Sequence, residues 1–360
     1  MSPSAAAALA PQPEPRARRA DPSTARAPAT GEERTRLALE RLRPFMAEDE
    51  ARSARAFWTT WAVTLGGVAL AVLVDVLALR ILLAPVLGAL FARMFVIFHD
   101  MDHGAIFRNA PRKRAAMRAF TYAVLSPPSV WKAGHSEHHR ETGVFDKFVE
   151  GEYPVWSVEK YRAAGPLARF GYRAARHPAT IALGYVTAFF IGSCVVFLVR
   201  DKGHRWRAAT SIALHAAIVL GLAAGFGWAA ALWGFVLPAA IAGAIGAYLI
   251  YVQHNFPGMR YAAPGARDPL TAATETATFF RMGRIAHWFT ANIGFHNVHH
   301  LCPRVPFYRL PEATRALYDA LPDVKDKIVE TSWRWRDVRA AFRANLWDKD
   351  AGRMASYAAV

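Results

Sequence analysis

Cysteine is nearly absent: Cys194 and Cys302 are the only two in 360 residues. They form no Cys-x-x-Cys motif, and their scarcity points to the reducing side of a membrane. No Glu-x-x-His pair occurs, which excludes the soluble carboxylate-rich di-iron bundles. The zinc-protease pattern His-Glu-x-x-His is missing too, because Glu137 precedes a histidine pair at the wrong offset. No haem or flavin motif is visible, so electrons for any redox reaction must come from a separate protein. A secretory signal is not expected, since the first long apolar run starts near Phe57 and exceeds the length of a signal h-region.

Negative charge is also in short supply. Against 44 Lys and Arg stand 28 Asp and Glu, a formal net charge of +16. Such an excess suits nucleic acid when it forms a continuous stripe. Here the basic residues flank apolar runs, which is the positive-inside pattern, and nucleic acid is not expected as a partner. Hydrophobic residues make up 53% of the chain and gather into runs of membrane-spanning length.

The fold expected from these runs is an all-α membrane protein. It has four transmembrane helices in two hairpins, with re-entrant or in-plane helices and a cytoplasmic cap over the site. Residues 1–32 are rich in Ala, Pro and Arg, show no periodic apolar face, and are expected to be disordered. Residues 33–56 read as a charged surface helix whose apolar face is Leu37, Leu39, Leu42 and Phe45. The membrane domain then covers 57–320, with spans at 57–79, 81–98, 208–225 and 228–253, and 321–360 form a cytoplasmic helical tail. Residues 180–199 are long enough to cross, yet Arg173 and Arg176 precede them and Arg200, Lys202, Arg205 and Arg207 follow. Basic charge at both ends predicts a dipping hairpin or in-plane helix that returns to its own side.

Histidine dominates what remains. Three clusters occur, His99-Asp100-Met101-Asp102-His103, His135-Ser136-Glu137-His138-His139 and His296-Asn297-Val298-His299-His300, and His254 closes the last long apolar run. On a helix, residues three and four apart share a face, so each cluster is expected to aim its imidazoles at one point. Neutral imidazole suits zinc, copper, iron and nickel alike. One zinc is satisfied by three or four ligands, so nine histidines suit two metals of higher coordination number. Asn292, four residues before His296, is expected on the same helical face, where it would hold a metal-bound water. Asp100, Asp102 and Glu137 are candidates to orient the ligands from behind. His215, inside a span, reads as a neutral histidine hydrogen-bonded to a neighbouring helix, and His177, His204 and His287 read as structural.

The three boxes resemble those of the integral-membrane fatty-acid desaturases. So do Tyr251-Val252-Gln253-His254 and the run His-His-Leu-Cys-Pro-Arg-Val-Pro-Phe-Tyr-Arg-Leu at 299 to 310. The likeness covers about residues 50 to 320 and is closest to the acyl-lipid omega-6 (delta-12) group. The boxes are shared with membrane hydroxylases and ketolases, and the flank of the third box is what points to desaturases. One departure stands out: family members more often carry Cys-Gly where this chain has Met101-Asp102. The resemblance implies two iron ions held by His99, His103, His135, His138, His139, His254, His296, His299 and His300, with no catalytic residue apart from these ligands. It implies that O2 and two electrons place a cis double bond in a lipid-linked acyl chain, with a ferredoxin as donor. The setting would be a bacterial inner membrane, with site and termini cytoplasmic. A lipid or carotenoid hydroxylase or ketolase is the alternative within the superfamily, and a zinc-dependent membrane hydrolase or receptor the alternative outside it.

Overall fold

The computed structural model describes residues 30–147, 151–263 and 268–360. The tail expected to be disordered, 1–32, lies outside the described residues except for its last three, which belong to a helix. Thr30 and Glu33 exchange side-chain to backbone hydrogen bonds at 3.2 and 3.3 Å, a capping box that starts α1 (Gly31–Leu42). The single surface helix expected over 33–56 is interrupted by a 3-10 turn at Arg43–Met46, because Pro44 has no N–H to continue the ladder. Asp49 then caps α2 (Glu50–Leu73), accepting from the Arg52 N–H at 3.0 Å.

In chain order there follow α3 (Leu77–Asp102), α4 (Pro111–Ala123), α5 (Pro128–Glu141), α6 (Tyr185–Arg200), α7 (Arg205–Phe226) and α8 (Trp228–Gln253). Four of them, α2, α3, α7 and α8, are long and apolar enough to cross a membrane. The first turn comes earlier than the sequence suggested, at Val74–Val76 rather than at Arg80. Arg80 instead lies buried in the first turn of α3, where it donates to Ala71 O at 3.0 Å and to Asp75 at 2.7 Å. It thereby satisfies a carbonyl that the end of α2 leaves without an intrahelical partner. The second hairpin turns at Gly227, whose φ of +86° is cheap for glycine.

Of residues 180–199, expected to dip or lie in plane, the first three end a short helix at Pro178–Ala182, and Tyr185–Arg200 form one apolar helix, α6, wound as a π-helix over Tyr185–Val195. It approaches α8 backbone to backbone: a Cβ on Gly243 would sit 2.7 Å from Tyr185 N. Small residues permit this close packing. His215 on α7 joins the layers, with Nδ1 2.8 Å from Ala123 O of α4 and Nε2 2.7 Å from the Tyr185 hydroxyl.

Residues 321–360 are not a helical tail. Val324 and Ile328 belong to the main apolar core, so the body does not end at 320. Two small sheets sew the C-terminus to earlier segments. One pairs β1 (Trp156–Ser157) with β4 (Leu346–Asp348) and β5 (Arg353–Ala355), and the other pairs β2 (Phe279–Arg281) with β3 (Glu330–Ser332). Fully buried Arg176 fastens this region, donating to Ala344 O at 2.9 Å and to Pro154 O at 2.6 Å. Helices in this stretch are short, Pro322–Lys327 and Trp335–Arg343; between and after them run strands whose partners lie as far back as Trp156 and Phe279.

Candidate metal centre

Box one occupies the last turn of α3 with His103 as its cap, and box two lies on α5. His254 ends α8, and box three forms its own short helix, α9 (His296–Leu301). The nine imidazoles converge from these four places into two groups, His99, His103, His135, His139 and His299 in one, His138, His254, His296 and His300 in the other. Within each group the ligand atoms lie within 4.8 Å of one another.

The boxes do not each aim at one point. In His-x-x-His-His the first and fifth residues are offset by about 40° around a helix, whereas the fourth falls about 60° to the other side. Box two accordingly sends His135 and His139 to the first group and His138 to the second. Box three sends His296 and His300 to the second group and His299 to the first. The two groups are therefore adjacent: the rings of His139 and His300 stack at 4.3 Å.

The spacing of the nitrogens fits a metal. Nε2 of His103 and His135 are 2.8 Å apart, of His135 and His139 3.2 Å, and of His139 and His299 3.2 Å. In the other group the pairs His254–His296, His296–His300 and His138–His300 are at 2.8, 3.0 and 3.2 Å. With metal–nitrogen bonds of about 2.0–2.2 Å, ligands at right angles stand about 2.8–3.1 Å apart and tetrahedral ones about 3.3–3.6 Å apart. Burial, followed by the like charges of neighbouring imidazoles, pushes His103, His135, His139, His296, His299 and His300 well below the usual imidazole range. They are neutral at pH 7, the form that binds metal.

The far side of several rings is also held. His254 Nδ1 donates to Thr276 O at 2.9 Å, which leaves the Nε2 lone pair facing the cluster. His138 Nδ1 is 3.2 Å from Thr142 Oγ1, with Glu152 at 3.5 Å. Sequence reading missed both partners. Thr142, four residues after His138 and the C-cap of its helix, was a legible signal; Glu152, across a turn, gave none. Fully buried Asp100 faces His99 Nδ1 at 3.2 Å and accepts from the Phe307 N–H at 2.6 Å. Asp102 points elsewhere, 3.7 Å from Lys132 Nζ, and Glu137 is half-buried and enters neither group.

Asn292 does not share a helical face with His296. Residues 284–289 form a separate short helix, and Asn292 sits in the turn before α9 at φ +57°. Its side chain donates to Phe307 O at 3.0 Å. Asp100 and Asn292 thus hold the two backbone polar groups of Phe307, tying box one to the segment that follows box three.

Below the first group lies a small apolar cavity of about 50 Å³ between α3, α6 and α8, lined by Phe91, Phe95, Tyr185, Phe189, Gly246 and Leu249, and beside it a larger one of about 590 Å³ that reaches His135 itself between Trp131, Phe189, Val196, Phe197 and Ala247. Phe95 packs edge-on against Trp131 at 4.7 Å, and Trp131 stacks on His135 at 4.8 Å. Two aromatic layers separate the smaller cavity from the imidazoles, whereas His135 lines the larger one.

Spanning helices that close over two buried histidine constellations define an integral-membrane, metal-binding protein. The "Fatty acid desaturase" family profile matches residues 76–332, and the chain belongs to that family. The fatty acid desaturase of Bacillus subtilis is 32% identical over 292 residues, 78% of each chain. The sn-1 acyl-lipid omega-3 desaturase (ferredoxin) of Synechocystis is 24% identical over 273 residues, 72% of this chain and 71% of its own. A probable fatty acid desaturase of Sorghum bicolor is 26% identical over 251 residues, 64% of this chain and 61% of its own. The protein is an oxidoreductase, a fatty acid desaturase.

Proposed function

We propose that the nine histidines hold two iron ions and that the enzyme places a cis double bond in a lipid-linked acyl chain. The observation that carries this reading is the five-plus-four division of buried, neutral imidazoles above an apolar cavity. A group of five imidazoles exceeds the four ligands of a tetrahedral zinc and favours a metal of higher coordination number. Iron bound there supplies, with oxygen, an oxidant able to take hydrogen from an unactivated methylene, chemistry that no side chain has. The balance is one acyl –CH2–CH2– unit, O2, two electrons and two protons giving –CH=CH– and two waters. The protein's own residues do the rest. Phe189, Val196 and Phe197 wall the larger cavity, a sleeve for the chain that reaches His135, Trp131 packs over the histidines, and Asp100, Thr142 and Thr276 fix ring orientation. Electrons would come from a ferredoxin, as the name of the Synechocystis relative states for that protein. The basic run Arg108, Arg112, Lys113, Arg114 and Arg118 after box one favours a cytoplasmic site in a bacterial inner membrane.

Two measurements test the reading together. Purified protein should carry about two irons per chain, and lipids of an expressing host should gain a double bond with no added oxygen. One zinc, or a hydroxylated product, would overturn it.

The cavity makes a sharper prediction. A Cβ on Gly246 would meet Phe189 at 3.5 Å, ordinary contact, so Gly246→Ala should fold and turn over normally. Gly246→Leu overfills the small cavity and pushes Phe189, which walls both cavities, into the sleeve, and conversion of long acyl chains should fall roughly tenfold or more, the scale on which a hydrophobic pocket discriminates size. Metal content should not change. Full activity of Gly246→Leu would remove this cavity from the substrate path.

A further inference from the structure

Arg93 lies in the middle of α3, six residues before His99, and is only 4% exposed. Its Nε donates to Thr60 Oγ1 of α2 at 3.0 Å and its Nη1 to Trp288 O, while the guanidinium stands 4.1 Å over the Trp288 ring. Those partners orient the group, but none is an anion. Among the described residues no carboxylate lies within 4.0 Å of it. A buried, uncompensated cation in a spanning helix is costly and is retained for a purpose. Arg93 lines a pocket with Arg52 and Arg55 from the first turns of α2, Arg284, His287 and Tyr308. No acidic residue lines this pocket. Four arginines thus converge where no protein anion answers them.

We infer that this pocket binds the phosphate of a membrane phospholipid. Guanidinium groups match phosphate oxygens in planar, paired hydrogen bonds, which explains arginine rather than lysine at all four positions. The rim favours a lipid over a free anion. Trp58, Ile285 and Trp288 are exposed by 63, 76 and 43% beside the arginines, as interfacial anchors are. The pocket meets the small apolar cavity at neighbouring residues, Ala291 lining one and Thr290 the other, with Arg93 following Ala92 of the cavity wall, and Phe189 is the wall that this small cavity shares with the sleeve. A phosphate held at Arg93 would fix one end of a substrate whose chain enters the sleeve. This deepens, and rests on, the lipid-linked reading above.

The test is retention of lipid by purified full-length protein, read by native mass spectrometry. The probes are phosphatidylglycerol, diacylglycerol with the same acyl chains, and inorganic phosphate as competitor. Wild type should retain phosphatidylglycerol roughly tenfold better than diacylglycerol, and the triple change Arg52→Gln, Arg55→Gln, Arg284→Gln should abolish that preference. These three side chains are exposed, so the variant is expected to fold. A control that removes the same charge elsewhere, Arg334→Gln, Arg339→Gln and Arg343→Gln, should behave as wild type. Arg93→Gln should act like the triple variant. Equal retention of diacylglycerol, or equal loss in the control, overturns the site. Displacement of phosphatidylglycerol by millimolar phosphate assigns the pocket to a soluble anion and overturns the lipid assignment. Iron content and double-bond formation, measured on the same samples, report separately on the desaturase reading.

Discussion

His254→Ala is expected to abolish double-bond formation and to empty the four-imidazole group of metal, which on the two-iron proposal is about one ion per chain, although this residue belongs to no box. In the structure it is one of only four imidazoles in its group, 2.8 Å from His296, with its other nitrogen fixed by Thr276 O. Losing a partner that merely orients a ligand typically costs 10–100-fold in metal affinity, so losing the ligand itself should cost about 100-fold or more. His103→Ala leaves four imidazoles in the other group and should retain more metal than His254→Ala does. His204→Ala is the silent control. His204 pairs with Asp201 at 2.7 Å in a partly exposed turn and enters neither group; exposed pairs of that kind are worth roughly 0–1 kcal/mol. Metal per chain from elemental analysis, with lipid profiles of the same strains, decides the matter. Two ions retained by His254→Ala, with normal product, would take His254 out of the centre.

The sequence made the hairpins legible because apolar runs of membrane length have few other uses, and it located the imidazoles because their i, i+4 spacing is a helical signal. It did not reveal how they divide. The opposite destinations of His138 and His135 depend on the angular offset between i+3 and i+4, and that offset matters only once a second helix faces the first. Asn292 was misread for a related reason. Its spacing from His296 looked helical, yet the chain turns through positive φ at Ala291 and Asn292 before α9 begins. No periodicity reports such a turn. The C-terminus was legible least, since strands of two or three residues have no pattern of their own and exist here because Trp156 and Phe279 offer edges to pair with. Glu152 and Trp131 were hidden likewise: their value lies in what they touch.

Asp100→Asn is the substitution in which shape is kept and chemistry lost. The carboxylate does two things: one oxygen accepts from the Phe307 N–H at 2.6 Å, the other faces His99 Nδ1 at 3.2 Å. An amide must still turn its oxygen to the Phe307 N–H, because leaving that buried donor unpaired costs about 1–3 kcal/mol. Its NH2 then faces His99 Nδ1 and requires an acceptor there. The imidazole proton moves to Nε2, the nitrogen that must stay bare to bind metal. Affinity at the five-histidine group should drop by roughly 10–100-fold, and turnover with it, while the fold survives because the Phe307 tie is intact. Asp102→Asn, two residues on, should cost some stability but leave metal binding intact, since the largely buried Asp102 faces Lys132 at 3.7 Å, with Arg114 and Arg118 nearby, and enters neither imidazole group. Metal titration of both variants, alongside their thermal unfolding, separates the two carboxylates. Should Asp100→Asn load and turn over like wild type, the His99 tautomer is set by something other than Asp100, and the link from box one to the loop after box three is structural alone.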